Sequence, residues 1–434
     1  MNESKGALGK ERRAFPRIGI ESWARMCFPS PMHRRTPAGR RIALLFVAIA
    51  LVSAIGRSSL VAAPFFESEL IFPPERFHNH SPSVVETPQG NLLACWFHGQ
   101  GERKDNSLVI LAARKTKENA AWSKHFVLAD NQGLPDQNPT LFIDPQQRLW
   151  LFWISSLDNE VRGHFLKYRV STDYEDDGPP NWSWQDSLIA FPKELERTYV
   201  EAVDRMLAEG KIPKRDIPEF KRKQELAGEK LWHRIGWMPR QPPIMLSEKR
   251  MMLGLYSDVW DCSLMAFTED AGASWEFSKP MLLSSFLNVQ PALVRKRDGG
   301  IVAFMRDEPR VRRAESNDGG MNWDEDPLDL PCPGSSVAAI GLQSGAWLLA
   351  TNGADGRHTL KLYLSDDEGR TWKWSRNLET FEKRQGSGQY PTLIQAANGD
   401  IHIVYTHDNV AGFGSRMRTI KHARFNEAWV KAAP

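Results

Sequence analysis

The chain is short of the residues that staple small exported folds or gather metal clusters. It has 4 cysteines in 434 residues, and Cys27, Cys95, Cys262 and Cys332 show no paired ligand spacing. That excludes a disulfide framework and a zinc-ribbon organisation. Cys95, inside an apolar strand pattern, reads as a buried small hydrophobe. No acidic or histidine cluster has ligand spacing either, so neither a metal nor a cofactor is expected. Charge of one sign is also missing: 56 basic against 53 acidic residues leave a formal charge of +3, too balanced for a nucleic-acid footprint. Long apolar runs are absent but for Ile42 to Ile55, which is too short for a comfortable membrane span. This run follows Arg34, Arg35, Arg40 and Arg41 and precedes the small-residue stretch Val61-Ala62-Ala63, the layout of a signal-peptide core and cleavage site. Residues 1–63 therefore read as a leader, with Met32 a better translation start than Met1. The rest is expected to be secreted or periplasmic, without stable membrane insertion after cleavage; an uncleaved signal anchor is the alternative.

What the chain has instead is tryptophan, 16 residues of it, alongside 31 glycines and 28 prolines. Such a mixture suits many short strands joined by tight turns. One module recurs: a proline, a short apolar strand, a turn, then a second apolar strand. Copies start at Pro82, Pro139, Pro242, Pro291 and Pro391, and a sixth runs from Ser336 with Val337 in place of proline. The runs are too short for helices and are bounded by Gly, Asn, Asp and Pro, so each reads as a hairpin. Spacings of about 48 residues match a four-stranded propeller blade and are too long for a β-helix rung. The reading is all-β, a six-bladed β-propeller over residues 64–434. Residues 191–233 break the pattern: rich in Glu, Lys, Arg, Ala and Leu, with Leu195, Val200, Val203 and Met206 at helical spacing, they read as a helical insertion in the third blade, either a lid or a packed decoration.

Each of three modules ends in a sharper signature. Ser365-Asp-Asp367-Glu-Gly369-Arg-Thr371-Trp372 is a full Asp-box, and Ser316 to Trp323 and Thr268 to Trp275 are close copies. In such a box Asp caps backbone N–H groups of a turn, Gly takes a positive φ and Trp packs between sheets. It stabilises a turn and catalyses nothing. Polar residues that immediately precede the repeat strands, His80, Ser81, Asn138, Gln241, Gln290, Ser336 and Tyr390, are candidates for the channel mouth, where the innermost strands converge.

The Asp-boxes, together with Asn288-Val-Gln-Pro-Ala-Leu-Val, Gln389-Tyr-Pro-Thr-Leu-Ile-Gln and Ile420-Lys-His, make the chain resemble the bacterial BNR-repeat sialidase (neuraminidase)-like family over most of residues 70–430. Active members of that family are retaining exo-glycosidases in which three arginines grip the sugar carboxylate, an Asp is acid/base and a Tyr activated by a Glu is the nucleophile. The resemblance implies that Tyr390 is the nucleophile, Arg306 and Arg357 the second and third arginines, and Asp105 the acid/base. It also puts His80 where the first arginine stands and Gln290 where the activating Glu stands. Glutamine cannot accept the tyrosine proton, and histidine is a weaker, pH-dependent clamp. His78 or His80 is expected to support charge. The function implied is a sialidase-type glycoside hydrolase on an acidic glycan or glycoconjugate; a uronate polysaccharide lyase and a non-catalytic glycan-binding propeller are the alternatives.

Overall fold

Each repeat folds into the two innermost strands of a small antiparallel sheet, because alternating apolar residues bury both faces between neighbouring sheets while Gly, Asn and Asp close the turns. The computed structural model describes residues 63–432 apart from 103, 120, 285–287 and 411–415. The leader read at residues 1–63, with Met32, lies outside them but for Ala63. Six sheets form a ring. The first contains His78–Glu86, Leu92–Gly99, Val109–Lys115 and Phe126–Ala129. The second contains Asp136–Ile143, Leu149–Ser156, His164–Ser171 and Trp184–Ser187. In the third, Met238–Pro239 and Ile244–Met245 share the inner edge of Met251–Ser257, followed by Cys262–Thr268 and Glu276–Phe277. Val289–Arg295, Ile301–Arg306, Arg312–Ser316 and Asp324–Glu325 make the fourth. Ala338–Gly341, Trp347–Asn352, Thr359–Ser365 and Trp374–Thr380 make the fifth.

The last sheet, Gly386–Gln395, Ile401–Val410 and Arg416–Phe425, takes its outermost strand from the other end of the domain. Phe66–Leu70 pairs with it in register Phe66 to Phe425 and Leu70 to Lys421. The ring is thereby closed by backbone hydrogen bonds, and the exposed edge that an open last blade would present is covered. Cys95, Cys262 and Cys332 are buried free thiols.

The Asp-box turns are built as their residue types require. Asp270 Oδ1 accepts from Ser274 N at 2.9 Å, Asp318 Oδ1 from Asn322 N at 3.0 Å and Asp367 Oδ1 from Thr371 N at 2.8 Å. Gly272 stands at φ 88°, and a Cβ there would meet ring carbons of Tyr168 at 3.0 Å and Trp150 at 3.2 Å in the preceding blade. Trp275 packs over the same neighbour, its ring 5.7 Å from Tyr168 and 6.2 Å from Phe152. Gly272→Ala should therefore cost about 2–4 kcal/mol, combining left-handed strain with overpacking. Gly178, at φ 84° with open space around it, is the control: Gly178→Ala should cost only about 1–2 kcal/mol. Urea midpoints of the two variants measure the difference, and equal shifts would show that blade contact plays no part.

The insertion is helical at Leu195–Ala208, Ile217–Leu226 and Lys230–Arg234. Its first helix buries Leu195, Tyr199, Ala202, Val203 and Met206, so the inward face turns on Tyr199 more than on Val200. Tyr199 meets Trp260 edge-on at 5.1 Å, and Lys223 bonds Asp261 at 2.5 Å. Both partners lie in the turn after Met251–Ser257, at the end of the propeller where the innermost strands begin. No helix among the described residues is long and apolar enough to cross a membrane.

Candidate functional site

In four innermost strands one extra residue is squeezed in beside the repeat proline. The bulges fall between His80 and Ser83, Gln137 and Thr140, Val289 and Ala292, and Gln389 and Thr392. Ser81, Asn138, Gln290 and Tyr390 occupy them at φ 53°, 50°, 60° and 56°. Left-handed backbone costs a residue with a Cβ roughly 1–2 kcal/mol, and the following proline narrows the choice further. A bulge re-aims a side chain, and strain repeated around one axis marks a site rather than an accident. Blade three solves the same problem differently: Pro242 and Pro243 offer no N–H, so its inner strand splits and releases Arg240 and Gln241 into the gap.

These side chains converge on Tyr390. Its phenolic oxygen accepts from Arg306 Nη1 at 3.2 Å and from Gln290 Nε2 at 3.4 Å. The Arg357 and Arg240 guanidinium carbons lie 5.5 and 5.1 Å from its ring centre, and the His80 ring is 4.1 Å away. Gln290 also reaches the Tyr256 hydroxyl at 3.3 Å, which Asn138 approaches at 3.1 Å. Arg357 bonds Gln389 and the Gly334 carbonyl. Tyr390, Arg306 and Arg357 are half-buried, whereas His80, Arg240, Tyr256 and Gln290 are buried beneath them. Thus residues from all six blades form a polar cup with an accessible rim.

Asp105 lies on a loop of blade one. It is exposed on the loop after Leu92–Gly99 and accepts from Ser107 N at 2.9 Å and Ser107 Oγ at 2.5 Å. Among the described residues no hydrogen bond or ion pair ties it to Tyr390, Arg306 or Arg357. The Ser107 bonds hold its carboxyl below the usual range. The same loop instead carries Glu102 to 3.8 Å from His78.

Four residues of the site escaped the motif reading. Arg240, fully buried, donates to the Pro391 carbonyl at 3.0 Å, Thr392 Oγ1 at 3.2 Å and the Pro82 carbonyl at 3.4 Å, bracing blades one and six from blade three. It stands two before its repeat proline, as His80 does in blade one, and that register was the available signal. Tyr256, Glu102 and Thr406, whose Oγ1 is 2.9 Å from His80 Nδ1, sit on second strands or the loop between blade strands, where no motif points. Gln241 lies in the floor, bonded to the Val337 and Pro391 carbonyls; below it a channel of about 410 Å³ is walled by Val84, Leu141, Ile244, Leu293 and Leu393. Buried polar atoms at the cup without a hydrogen-bond partner among the described residues include Ser81 Oγ, Arg240 Nε, Gln290 Oε1, Arg306 Nε and Ser336 Oγ. Such a concentration suits a ligand's polar groups.

The electrostatics correct one expectation. Burial, then Arg418 and Lys104, pulls His78 down to about 3, and burial, then His78, Arg357 and Arg240, pulls His80 well below its ordinary value. Both imidazoles are neutral at neutral pH, so neither His78 nor His80 supports charge as expected. Arg240 supplies the third cation instead: burial pulls it down only to about 10. At Arg306 burial opposes the charge, but Tyr390 and Tyr256 outweigh it and the net shift is upward.

A second buried imidazole pair lies at a cleft of about 670 Å³ lined by Glu69, Lys115, His402 and His422. His402 Nδ1 is 2.9 Å from His422 Nε2, and His422 Nδ1 is 3.0 Å from Glu69. Burial, then His422, pulls His402 down to about 3. Because an unfolded histidine binds protons near pH 6.5 and this one does not, the unfolded state takes up more protons as pH falls. Stability contributed by neutral His402 is full above about pH 6.5 and lost toward pH 3, at up to ~1.4 kcal/mol per pH unit. His402→Asn should flatten the stability profile between about pH 6 and 4 by on the order of 1 kcal/mol per unit; an unchanged slope in urea titrations would refute the assignment.

The fold and the cup frame the comparisons with known proteins. The propeller resembles the intramolecular trans-sialidase of Ruminococcus gnavus at a TM-score of 0.60 and 13% identity, covering 82% of this chain and 96% of that one. For the NanB sialidase of Streptococcus pneumoniae the values are 0.61, 11%, 83% and 71%. For the α-L-arabinanase of Penicillium chrysogenum they are 0.52, 12%, 83% and 98%. Identities this low establish a shared fold. No curated protein sequence matches the chain. The family profile of the BNR repeat-like domain matches residues 90–212 and 219–403, which take in the Asp-boxes at Thr268, Ser316 and Ser365 and every candidate residue except His78, His80 and Ser81. With that span matched, the chain belongs to the BNR repeat-like domain family, and its six closed blades share the propeller fold of those structures.

Proposed function

We propose that the protein is an exported sialidase-type glycoside hydrolase that cleaves a carboxylated sugar from an acidic glycan or glycoconjugate at the channel mouth. The observation that carries this reading is Tyr390: a tyrosine in left-handed backbone, its hydroxyl on Arg306 and its ring flanked by Arg357 and Arg240. Arg306 and Arg357, with rim exposure, grip the substrate carboxylate, for which guanidinium forks are the natural partners. Tyr390 attacks the anomeric carbon as its phenolic proton passes to water at the accessible rim, and the glycosidic C–O bond breaks with its oxygen leaving protonated. A neutral phenol approaches an anionic sugar without repulsion, and the Arg306 hydrogen bond stabilises the negative charge that gathers on the oxygen as its proton leaves. When substrate displaces Ser107 from it, Asp105 takes a proton from solvent and gives it to the departing glycosidic oxygen; the resulting carboxylate then takes a proton from the water that releases the sugar from Tyr390. His78, His80 and Gln290 shape the pocket around the sugar.

Purified protein offered a panel of sialosides and uronate-containing glycans should release a free acidic sugar. Release of neutral sugars alone, as an arabinanase-like activity would give, refutes the carboxylate reading. One observation favours a second chemistry. Gln290 cannot take the Tyr390 proton, yet a neutral His80 imidazole lies against the ring, and Tyr with a neutral His suits abstraction of the C5 proton of a uronate held by two arginines. A product absorbing as an unsaturated uronate would establish β-elimination in place of hydrolysis. Binding without turnover across the panel would make the propeller a lectin.

A further inference from the structure

We propose that His78, His80 and Glu102 form a divalent-cation site beside Tyr390, suited to zinc or a similar first-row ion. The three residues each present a donor atom, and those atoms lie within 4.8 Å of one another. His78 and His80 alternate on the innermost strand of blade one, so they share a face, with rings 5.3 Å apart and nearly perpendicular at 82°. Glu102 arrives from a different element, the loop after Leu92–Gly99, and this is why sequence spacing conceals the set. Gly101, at φ 142°, lets that loop turn close over His78: a Cβ there would meet the Lys104 side chain at 3.1 Å and would stand 3.7 Å from His78 Nδ1.

Two observations mark these side chains as ligands. His78 Nε2 is buried, 3.8 Å from Glu102, and has no hydrogen-bond partner among the described residues. His80 Nδ1 meets Thr406 Oγ1 at 2.9 Å, an outer partner of the kind that fixes a metal-bound imidazole and leaves Nε2 to the ion. Two His and one Glu are a three-ligand set with a fourth position open. Bonds of about 2.1 Å in a tetrahedral site hold donors about 3.4 Å apart, and the His78–Glu102 pair at 3.8 Å already lies close to that spacing. The nearby charge of Arg418 is offset by its ion pair with Asp408 at 3.2 Å.

The set adjoins the cup, since the His80 ring lies 4.1 Å from that of Tyr390. Arginines approach Tyr390 from blades three, four and five, while blade one presents the His80 imidazole. An ion there completes the positive ring around a bound carboxylate. That role rests on the proposed function; the site itself does not.

The test uses untagged full-length protein stripped with chelator, titrated with zinc by calorimetry and with cobalt read through its visible bands. One zinc per chain is expected, with intense tetrahedral cobalt absorption. His78→Ala and Glu102→Ala should each weaken binding 10-fold or more, and Thr406→Val about 10-fold through the outer shell, with thermal midpoints of the metal-free variants matching the parent. Substoichiometric binding, or an affinity indifferent to all three substitutions, overturns the site. Because no glycan is present, failure here leaves the hydrolase reading standing, and absence of turnover with stoichiometric zinc overturns that reading alone.

Discussion

Tyr390→Phe is expected to lower kcat by roughly a thousandfold or more while leaving the thermal midpoint nearly unchanged. Phenylalanine keeps the ring that packs against His80, Arg357 and Arg240. Only the hydroxyl goes, and with it the atom to which Arg306 and Gln290 both donate. A residue whose part was packing would show the opposite pattern, a lower midpoint with activity retained. The left-handed backbone at Tyr390 sharpens the comparison, because phenylalanine bears the same strain as tyrosine. Full activity in Tyr390→Phe would remove the nucleophile from the proposal, and the same variant retaining glycan affinity is the measurement that separates catalysis from recognition.

Arg306→Ala should cut kcat/KM on the carboxylated substrate by about 100- to 1000-fold, the equivalent of ~3–4 kcal/mol. The loss has two sources. One limb of the carboxylate clamp disappears, and the Tyr390 oxygen loses its cationic hydrogen-bond donor. Reduction of the substrate carboxylate to the alcohol should cost the parent enzyme much of its activity but cost Arg306→Ala much less, since the interaction is already gone. If both enzymes lose the same factor, Arg306 does not touch the carboxylate. Arg357→Ala, read the same way, reports the second limb.

Much of the architecture was legible because local chemistry specifies it. An Asp-box closes its own turn: Ser365, Asp367, Gly369 and Thr371 bond one another within a few residues, so their order along the chain suffices. Cys95 was readable as core for the same reason, lying in an apolar strand whose pattern needs no distant partner. The repeat prolines also located the mouth, since Ser81, Asn138, Gln290 and Tyr390 stand before them. That those residues would be bulged into left-handed backbone was not readable, because bulging depends on the register of the paired strand.

The site itself was legible only in part. Tyr390, Arg306 and Gln290 meet as the resemblance implied, whereas Asp105 is turned to Ser107 and its neighbour Glu102 is turned to His78. The neutral state of His78 and His80 comes from burial and from Arg240, Arg357 and Arg418, which are supplied by other blades. Sequence alone determined the number of blades, their turns and the residue types offered to the channel, because each depends on contacts made within one repeat. Tertiary structure decided which of those residues face one another, that Phe66–Leu70 closes the ring, and that Arg240 rather than a histidine supplies the third charge. Those outcomes depend on where six blades place their innermost strands around one axis, a geometry that no single repeat contains.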